Sequence, residues 1–165
     1  MDNFLKELPE LAKEKFLESK RYFARLKKRT PKNLDVIMQH LHHAEFKKTD
    51  CLSCGNCCKT TSPIFTEKDI QRISKHLRMK VHQFIAQYLA RDADDFYVLK
   101  TAPCSFLDLN DNSCIIYDVR PKACKEYPHT NRRKFIQITD LTLNNTGICP
   151  AVYNIVEALK IKIPS

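Results

Sequence analysis

Two glycines serve a chain of 165 residues, against the roughly 7% that an average composition supplies. No G-x-G-x-x-G fingerprint, P-loop, G-x-S-x-G elbow or H-E-x-x-H pair occurs in the sequence. With no standard catalytic motif, any catalysis has to run through a metal centre. Long apolar runs are missing too, since none approaches the ~18 residues that span a membrane. The opening "MDNFLKELPELAKEKF" has an acid at position 2 and charges throughout, which is not the pattern of a secretory leader. There is no internal repeat and no low-complexity tract. Together these absences make a reducing cytoplasm the expected compartment and leave no expected membrane partner.

What is present is an ordinary globular balance, 43% apolar and 28% charged, in a chain long enough to bury a core without staples. The formal charge is +9, but eight thiolates around two Zn²⁺, or in two four-iron clusters, would bring it to about +5.

The patterning predicts a mostly helical α+β fold, with residues 1–47 as an N-terminal helical extension and 48–165 as a cysteine-cluster metal-binding domain. Phe4, Leu8, Leu11, Ala12, Phe16, Phe23 and Leu26 approximate one amphipathic stripe. Pro9 either kinks that helix or marks its first turn. "RTPKN" separates it from a second helix bearing Leu34, Ile37, Met38, Leu41 and Ala44. Thr66 and Asp69 form a capping-box start for a helix that buries Ile70, Ile73 and Leu77. Residues 81–90 read as a helix and 96–101 as a short strand. Residues 104–118 read as a β-hairpin turning at Asn110–Ser113. A short helix begins around Pro121 and stops at Pro128, 133–143 reads as a strand, and 149–161 is a closing helix with Pro150 in its first turn.

Cysteine is what the chain has in excess. Residues 51–58, "CLSCGNCC", hold Cys51, Cys54, Cys57 and Cys58. Cys51-x2-Cys54-x2-Cys57 is two overlapping C-x2-C units, a spacing that turns both sulfurs toward one ion and recurs in zinc sites and iron–sulfur clusters. Adjacent side chains diverge, so Cys58 is expected to serve a different centre from Cys57, or a different metal of one cluster. Were 51–58 one helix, 100° steps would gather all four thiols within an arc of about 120°. Cys104, Cys114, Cys124 and Cys149 each sit at an edge of an expected element, where a buried cysteine acting only as a small hydrophobe has no reason to recur. Both glycines lie beside cysteines, Gly55 after Cys54 and Gly147 two before Cys149, which predicts tight bends round a centre. In a reducing compartment such a set points to metal rather than disulfides.

These residues resemble a known family. "CLSCGNCC", "PCSFLDLNDNSCIIYDVRPKACKEYP" and "GICP" look like the bacterial CxxCxxCC family, the YkgJ-type zinc- or iron-chelating proteins. All eight cysteines of that pattern have counterparts here, along with Phe106–Leu107, Ile116–Tyr117, Arg120–Pro121 and Tyr127–Pro128, over roughly residues 48–157. The resemblance implies chelation of zinc or iron. A related cysteine module occurs in flagellin lysine N-methylases, which implies a second reading, an iron–sulfur enzyme module acting on a protein. This chain is short for such an enzyme and shows no cosubstrate motif.

The expected metal ligands are therefore Cys51, Cys54, Cys57, Cys58, Cys104, Cys114, Cys124 and Cys149, with no catalytic residue assigned. The expected partition puts Cys51, Cys54, Cys57 and Cys149 in one centre and Cys58, Cys104, Cys114 and Cys124 in the other. Closed zinc tetrathiolates would be structural, whereas iron–sulfur clusters would carry electrons or sense redox state. Arg120 is placed to offset the negative charge of a thiolate centre, the alternative being a pair with Asp118 or Asp108. Tyr117 and Tyr127 are expected to pack with their hydroxyls at the surface.

Weaker signals are a histidine group, His40, His42 and His43, and a basic run, "KRYFARLKKRTPK" (20–32). The histidines read as solvated. The basic run reads as a helix face, with a docked protein partner as the next reading and a zinc-stabilised nucleic-acid-binding protein as the third.

Overall fold

The computed structural model describes residues 2–164. In chain order the helices and strands are α1 (Asp2–Lys28), α2 (Leu34–Phe46), α3 (Cys51–Cys54), α4 (Asn56–Thr60), α5 (Glu67–His76), α6 (Val81–Tyr88), β1 (Leu89–Arg91), β2 (Tyr97–Leu99), α7 (Lys122–Glu126), α8 (Thr139–Asn145) and α9 (Pro150–Lys162). Short 3₁₀ turns lie at Tyr117–Val119 and Phe135–Ile138. The chain is 60% helical with one two-stranded antiparallel sheet, a mostly helical α+β fold. No helix among the described residues is long and apolar enough to cross a membrane. Two compact units are formed, Met1–Asp50 with Pro128–Ser165, and Cys51–Tyr127. They do not follow a boundary at residue 47, because residues 128–165 return to the N-terminal helices.

In the helical unit, α1 runs unbroken through Pro9. Leu8, Ala12, Tyr22, Phe23 and Leu26 are buried, and Ser19 with them. Phe16 is 37% exposed, because 100° per residue carries it about 80° away from the line joining Leu8 and Leu26. Leu34 and Met38 of α2 and Val152, Ile155, Val156 and Leu159 of α9 complete the buried set, while Ala44 is exposed. The Tyr22 hydroxyl donates to the carbonyls of Leu159 (3.2 Å) and Ile163 (3.1 Å), tying α1 to the end of α9. Residues 133–143 are not a strand: after a turn at 133–134 the chain is helical from Phe135. The Asp35 carboxylate accepts from the amides of Lys134 (2.7 Å) and Phe135 (3.0 Å), and burial of Phe135 and Leu143 overrides a local β preference that is only a weak prior.

In the cysteine unit, α5 starts with the expected capping box, Asp69 amide to Thr66 hydroxyl (3.2 Å) and Thr66 amide to Asp69 carboxylate (3.0 Å). Ile70, Ile73, Phe65, Phe84, Leu89, Leu99, Phe106 and Ile116 form one core, against which Cys104 and Cys114 pack. The Phe84 and Phe106 rings stack with centroids 6.2 Å apart. The sheet pairs Leu89 with Leu99 and Arg91 with Tyr97, so residues 89–91 leave the helix expected over 81–90. The hairpin expected at 104–118 is reduced to one bridge, Leu107 with Cys114. Backbone bonds flank that bridge, from the Asp108 amide to the Ser113 carbonyl (2.8 Å) and from the Ile115 amide to the Phe106 carbonyl (3.0 Å), and the tip is shaped by Asp108 and Asp111, which accept from the amides of Asn110 (2.8 Å) and Ser113 (2.8 Å).

Candidate metal centre

All eight cysteines carry thiols, with no disulfide among them. Residues 51–58 are two helical turns hinged at one residue. The Gly55 amide donates to the Cys51 carbonyl at 2.9 Å. Gly55 then turns left-handed (φ +58°) and α4 begins. A Cβ on Gly55 would meet the Asn112 side chain at 3.0 Å, so both its φ and its surroundings demand glycine. Asn112 Nδ2 also donates to the Ser53 carbonyl at 3.1 Å, clamping the knuckle to the 104–118 loop. Gly147 differs: its φ lies outside the left-handed region, and an added Cβ would only touch the Ala12 Cβ at 3.5 Å. The expected tight bend beside a cysteine holds for Gly55 alone.

Four thiols from four segments share one neighbourhood. The Cys104 amide donates to the Cys58 carbonyl at 2.8 Å. Cys114 is bridged to Leu107, whose amide donates back to the Cys104 carbonyl at 3.0 Å. The Cys104 thiol is pushed up to about 11, first by burial and then by negative charge on Cys58 and Cys114, against a bond from the Phe106 amide. Burial pushes Cys124 up to about 12, with Cys58, Cys104 and Cys114 adding to the rise. Cys114 is raised in the same way, by burial and then by Cys58. Cys58 is lowered to about 7, chiefly by a hydrogen bond with the Cys57 thiol. The charge of Arg120 acts in the opposite direction to burial and lowers both Cys114 and Cys124. Its guanidinium is held over the Tyr117 ring at 3.8 Å and donates to the Tyr117 carbonyl at 2.6 Å, rather than pairing with Asp108 or Asp118.

Cys51 is exposed and Cys54 and Cys57 are half-buried. Cys149 is buried in the helical unit, where it caps α9 and its amide donates to the Asn145 carbonyl at 2.9 Å. Tyr117 is exposed as expected, but the Tyr127 hydroxyl is enclosed. His42 is half-buried, hydrogen-bonded through Nδ1 to the Thr130 hydroxyl at 2.8 Å, with its ring tilted against that of Phe46. In the basic run, Tyr22, Phe23 and Leu26 turn inward and Lys27 pairs with Asp140 at 2.9 Å. Among the described residues, no three His, Cys, Asp or Glu side chains stand as a ready-made metal site. The fold supplies a neighbourhood of thiols, not a closed coordination shell.

That donor set suits a soft or borderline cation. Half-buried sulfurs that repel one another's negative charge are stable with protons or with a bound cation, and costly as bare thiolates. The Asn112 clamp escapes sequence reasoning, which reads Asn112 only as a turn residue. Its left-handed φ of +59° is the local signal, but its partner lies 59 residues away.

No solved structure gives a significant match to the chain. The sequence profile of the CxxCxxCC family, described as "Putative zinc- or iron-chelating domain", matches residues 50–147. The span takes in the knuckle, the 104–118 loop and α7, and it ends just before Cys149. With more than half of its length inside that match, the chain belongs to the CxxCxxCC family.

Proposed function

We propose that the chain binds zinc or iron through cysteine thiolates. Cys58, Cys104, Cys114 and Cys124 form one four-sulfur centre, and Cys51, Cys54, Cys57 and Cys149 are the remaining donors. The observation that carries this reading is the convergence of Cys58, Cys104 and Cys114, through the Cys104 amide on the Cys58 carbonyl at 2.8 Å and the Leu107–Cys114 bridge, with Cys124 near enough to feel the charge of all three. Single polar contacts otherwise hold those segments, the Cys104 amide on the Cys58 carbonyl, Asn112 on Ser53 and Asp69 on the Lys122 amide. A bound cation would neutralise the set and tie the segments together. The overlapping C-x2-C spacing favours an iron–sulfur cluster, which would add one-electron chemistry. A reducing cytoplasm would keep all eight thiols available.

Anaerobic purification followed by metal, sulfide and visible-absorption analysis tests this. Iron with acid-labile sulfide and a band near roughly 400 nm supports the cluster. Colourless zinc-loaded protein sinks the cluster and keeps chelation. Protein that takes up neither metal, with thiols that titrate unchanged when metal is added, overturns the reading.

A further inference from the structure

Asp69 is 1% exposed, a setting in which an ionised carboxylate is costly unless its oxygens are satisfied. Oδ2 accepts from the Thr66 amide (3.0 Å) and hydroxyl (2.6 Å), which completes the cap of α5. Oδ1 does something that capping does not require. It accepts from the Arg72 guanidinium at 2.6 Å and from the Lys122 amide at 3.1 Å, 53 residues along the chain. Arg72 extends the link, donating to the carbonyls of Arg120 (3.0 Å) and Val119 (3.3 Å). One ion pair between a buried carboxylate and a half-exposed guanidinium thereby fixes three backbone groups of the turn between Cys114 and Cys124. The helix that follows, α7, has five residues, too few to hold its own geometry without outside contacts. Cys124 sits in that helix.

We propose that Asp69 is a positioning residue of the metal centre: through Lys122 and Arg72 it fixes the turn that holds Cys124 against Cys58, Cys104 and Cys114. The inference rests on the chelation reading above, but the placement of Cys124 is measurable without metal. Asp69→Asn keeps the shape and removes the charge. Arg72→Ala removes the second strut from a half-exposed position. Thr66→Ala is the control, since it weakens the α5 cap and leaves both Oδ1 bonds in place.

In the metal-free full chain, alkylation of each cysteine by iodoacetamide is followed by mass spectrometry. Asp69→Asn and Arg72→Ala should accelerate Cys124 several-fold while Cys51 and Cys54 hold their rates. Thr66→Ala should lower Tm and change no thiol selectively. In competition with a chromophoric chelator, zinc or ferrous iron should bind the two brace variants about 10–100-fold more weakly, the usual effect of losing a residue that orients a ligand. The Thr66→Ala chain should bind as wild type does. Unchanged Cys124 reactivity beside normal metal uptake overturns the brace alone, as does a uniform rise at every cysteine or a Thr66→Ala profile matching that of Asp69→Asn. A wild-type chain that takes up neither metal overturns the chelation reading and this proposal with it.

Discussion

The two compact units solve the same problem by different means. The helical unit has length: α1 spans 27 residues and α9 13, and aligned apolar faces bury Leu8, Phe23, Met38, Phe135, Val152 and Leu159. Burial of that kind supplies most helical stability in proteins. The cysteine unit has a proper core around Phe84 and Phe106, but α3, α4 and α7 have only four, five and five residues. These pieces carry thiols and bury no residue fully apart from the Gly55 hinge and Pro121 beside them. Single polar contacts hold them: Asn112 to Ser53, the Cys104 amide to Cys58, and Asp69 to Lys122. One unit is closed by its own side chains, and the other holds its thiol-bearing segments by single polar contacts and, on the proposed reading, by a bound metal.

Removing that metal should give the largest effect. Cys104→Ser or Cys124→Ser should abolish tight metal binding in the four-sulfur centre. The linked folding energy should go with it, on the order of 10 kcal/mol where the metal is structural zinc. Hydrogen exchange followed by mass spectrometry should speed up across 51–61 and 104–127 while α1 and α2 keep their protection. An equal loss over the whole chain would erase the contrast between the units. Next come the cores. Phe84→Ala should cost about 3–5 kcal/mol and also weaken metal uptake, because the Phe106 ring stacked on it lies between Cys104 and Cys114 in sequence. Leu159→Ala should cost about 2–5 kcal/mol and leave metal uptake alone. Thermal melts paired with metal titrations separate the two outcomes.

How much of this is legible in the sequence follows the same divide. Leu8 and Leu26 lie five helical turns apart, and a stripe that long identifies α1 despite Pro9. The stripe includes Ser19 and Tyr22, which apolarity alone does not flag. The capping box of α5 is legible because two residues three positions apart, Thr66 and Asp69, encode it. The 104–118 loop misleads in part, since apolar runs flanking a polar turn suit a hairpin, yet its pairing stops at one bridge and the Asp108 and Asp111 carboxylates shape its tip as Asx turns. Residues 133–143 mislead because the carboxylate that fixes their start, Asp35, belongs to α2. For the candidate site, the thiols announce themselves by spacing. Asn112 and Asp69 do not, because each has a local role as turn residue or helix cap that conceals a contact more than fifty residues away.

The two glycines sharpen the comparison at smaller scale. Gly55→Ala places a Cβ on a left-handed residue and drives it into Asn112 at 3.0 Å, which should cost about 1–2 kcal/mol from the backbone alone. It should also loosen the clamp on Ser53, seen as faster exchange at 51–61. Gly147→Ala meets only ordinary contact with Ala12. By stiffening the unfolded chain it should be neutral or stabilise by up to about 1 kcal/mol. If both substitutions proved equally harmful in thermal melts, the knuckle would not be the special bend that its geometry describes.

The smallest effect is the response of the metal-free chain to acid. Burial alone would raise the Asp69 carboxyl, but bonds from the Thr66 hydroxyl and the Arg72 guanidinium, then from the amides of Thr66 and Lys122, outweigh it and hold the group below its ordinary value. A depressed folded pKa means that the unfolded chain takes up its proton first. The stability contributed by Asp69 is therefore present above about pH 4 and is lost as pH falls through the lower folded value. The helical unit has a depressed acid too, Glu18, lowered first by its bond to Lys160 and then by Lys15. Its side chain is 51% exposed, so solvent screens the gain and little stability depends on it. As pH falls from about 4 through the lower folded value of Asp69, amide signals of α5 and α7 should thus broaden or shift before those of α1 and α9 in nuclear magnetic resonance spectra. Asp69→Asn should flatten that acid limb, and Glu18→Gln should leave it in place. Acid sensitivity that follows Glu18 instead would mean that the buried carboxylate does not set the weaker unit's limit.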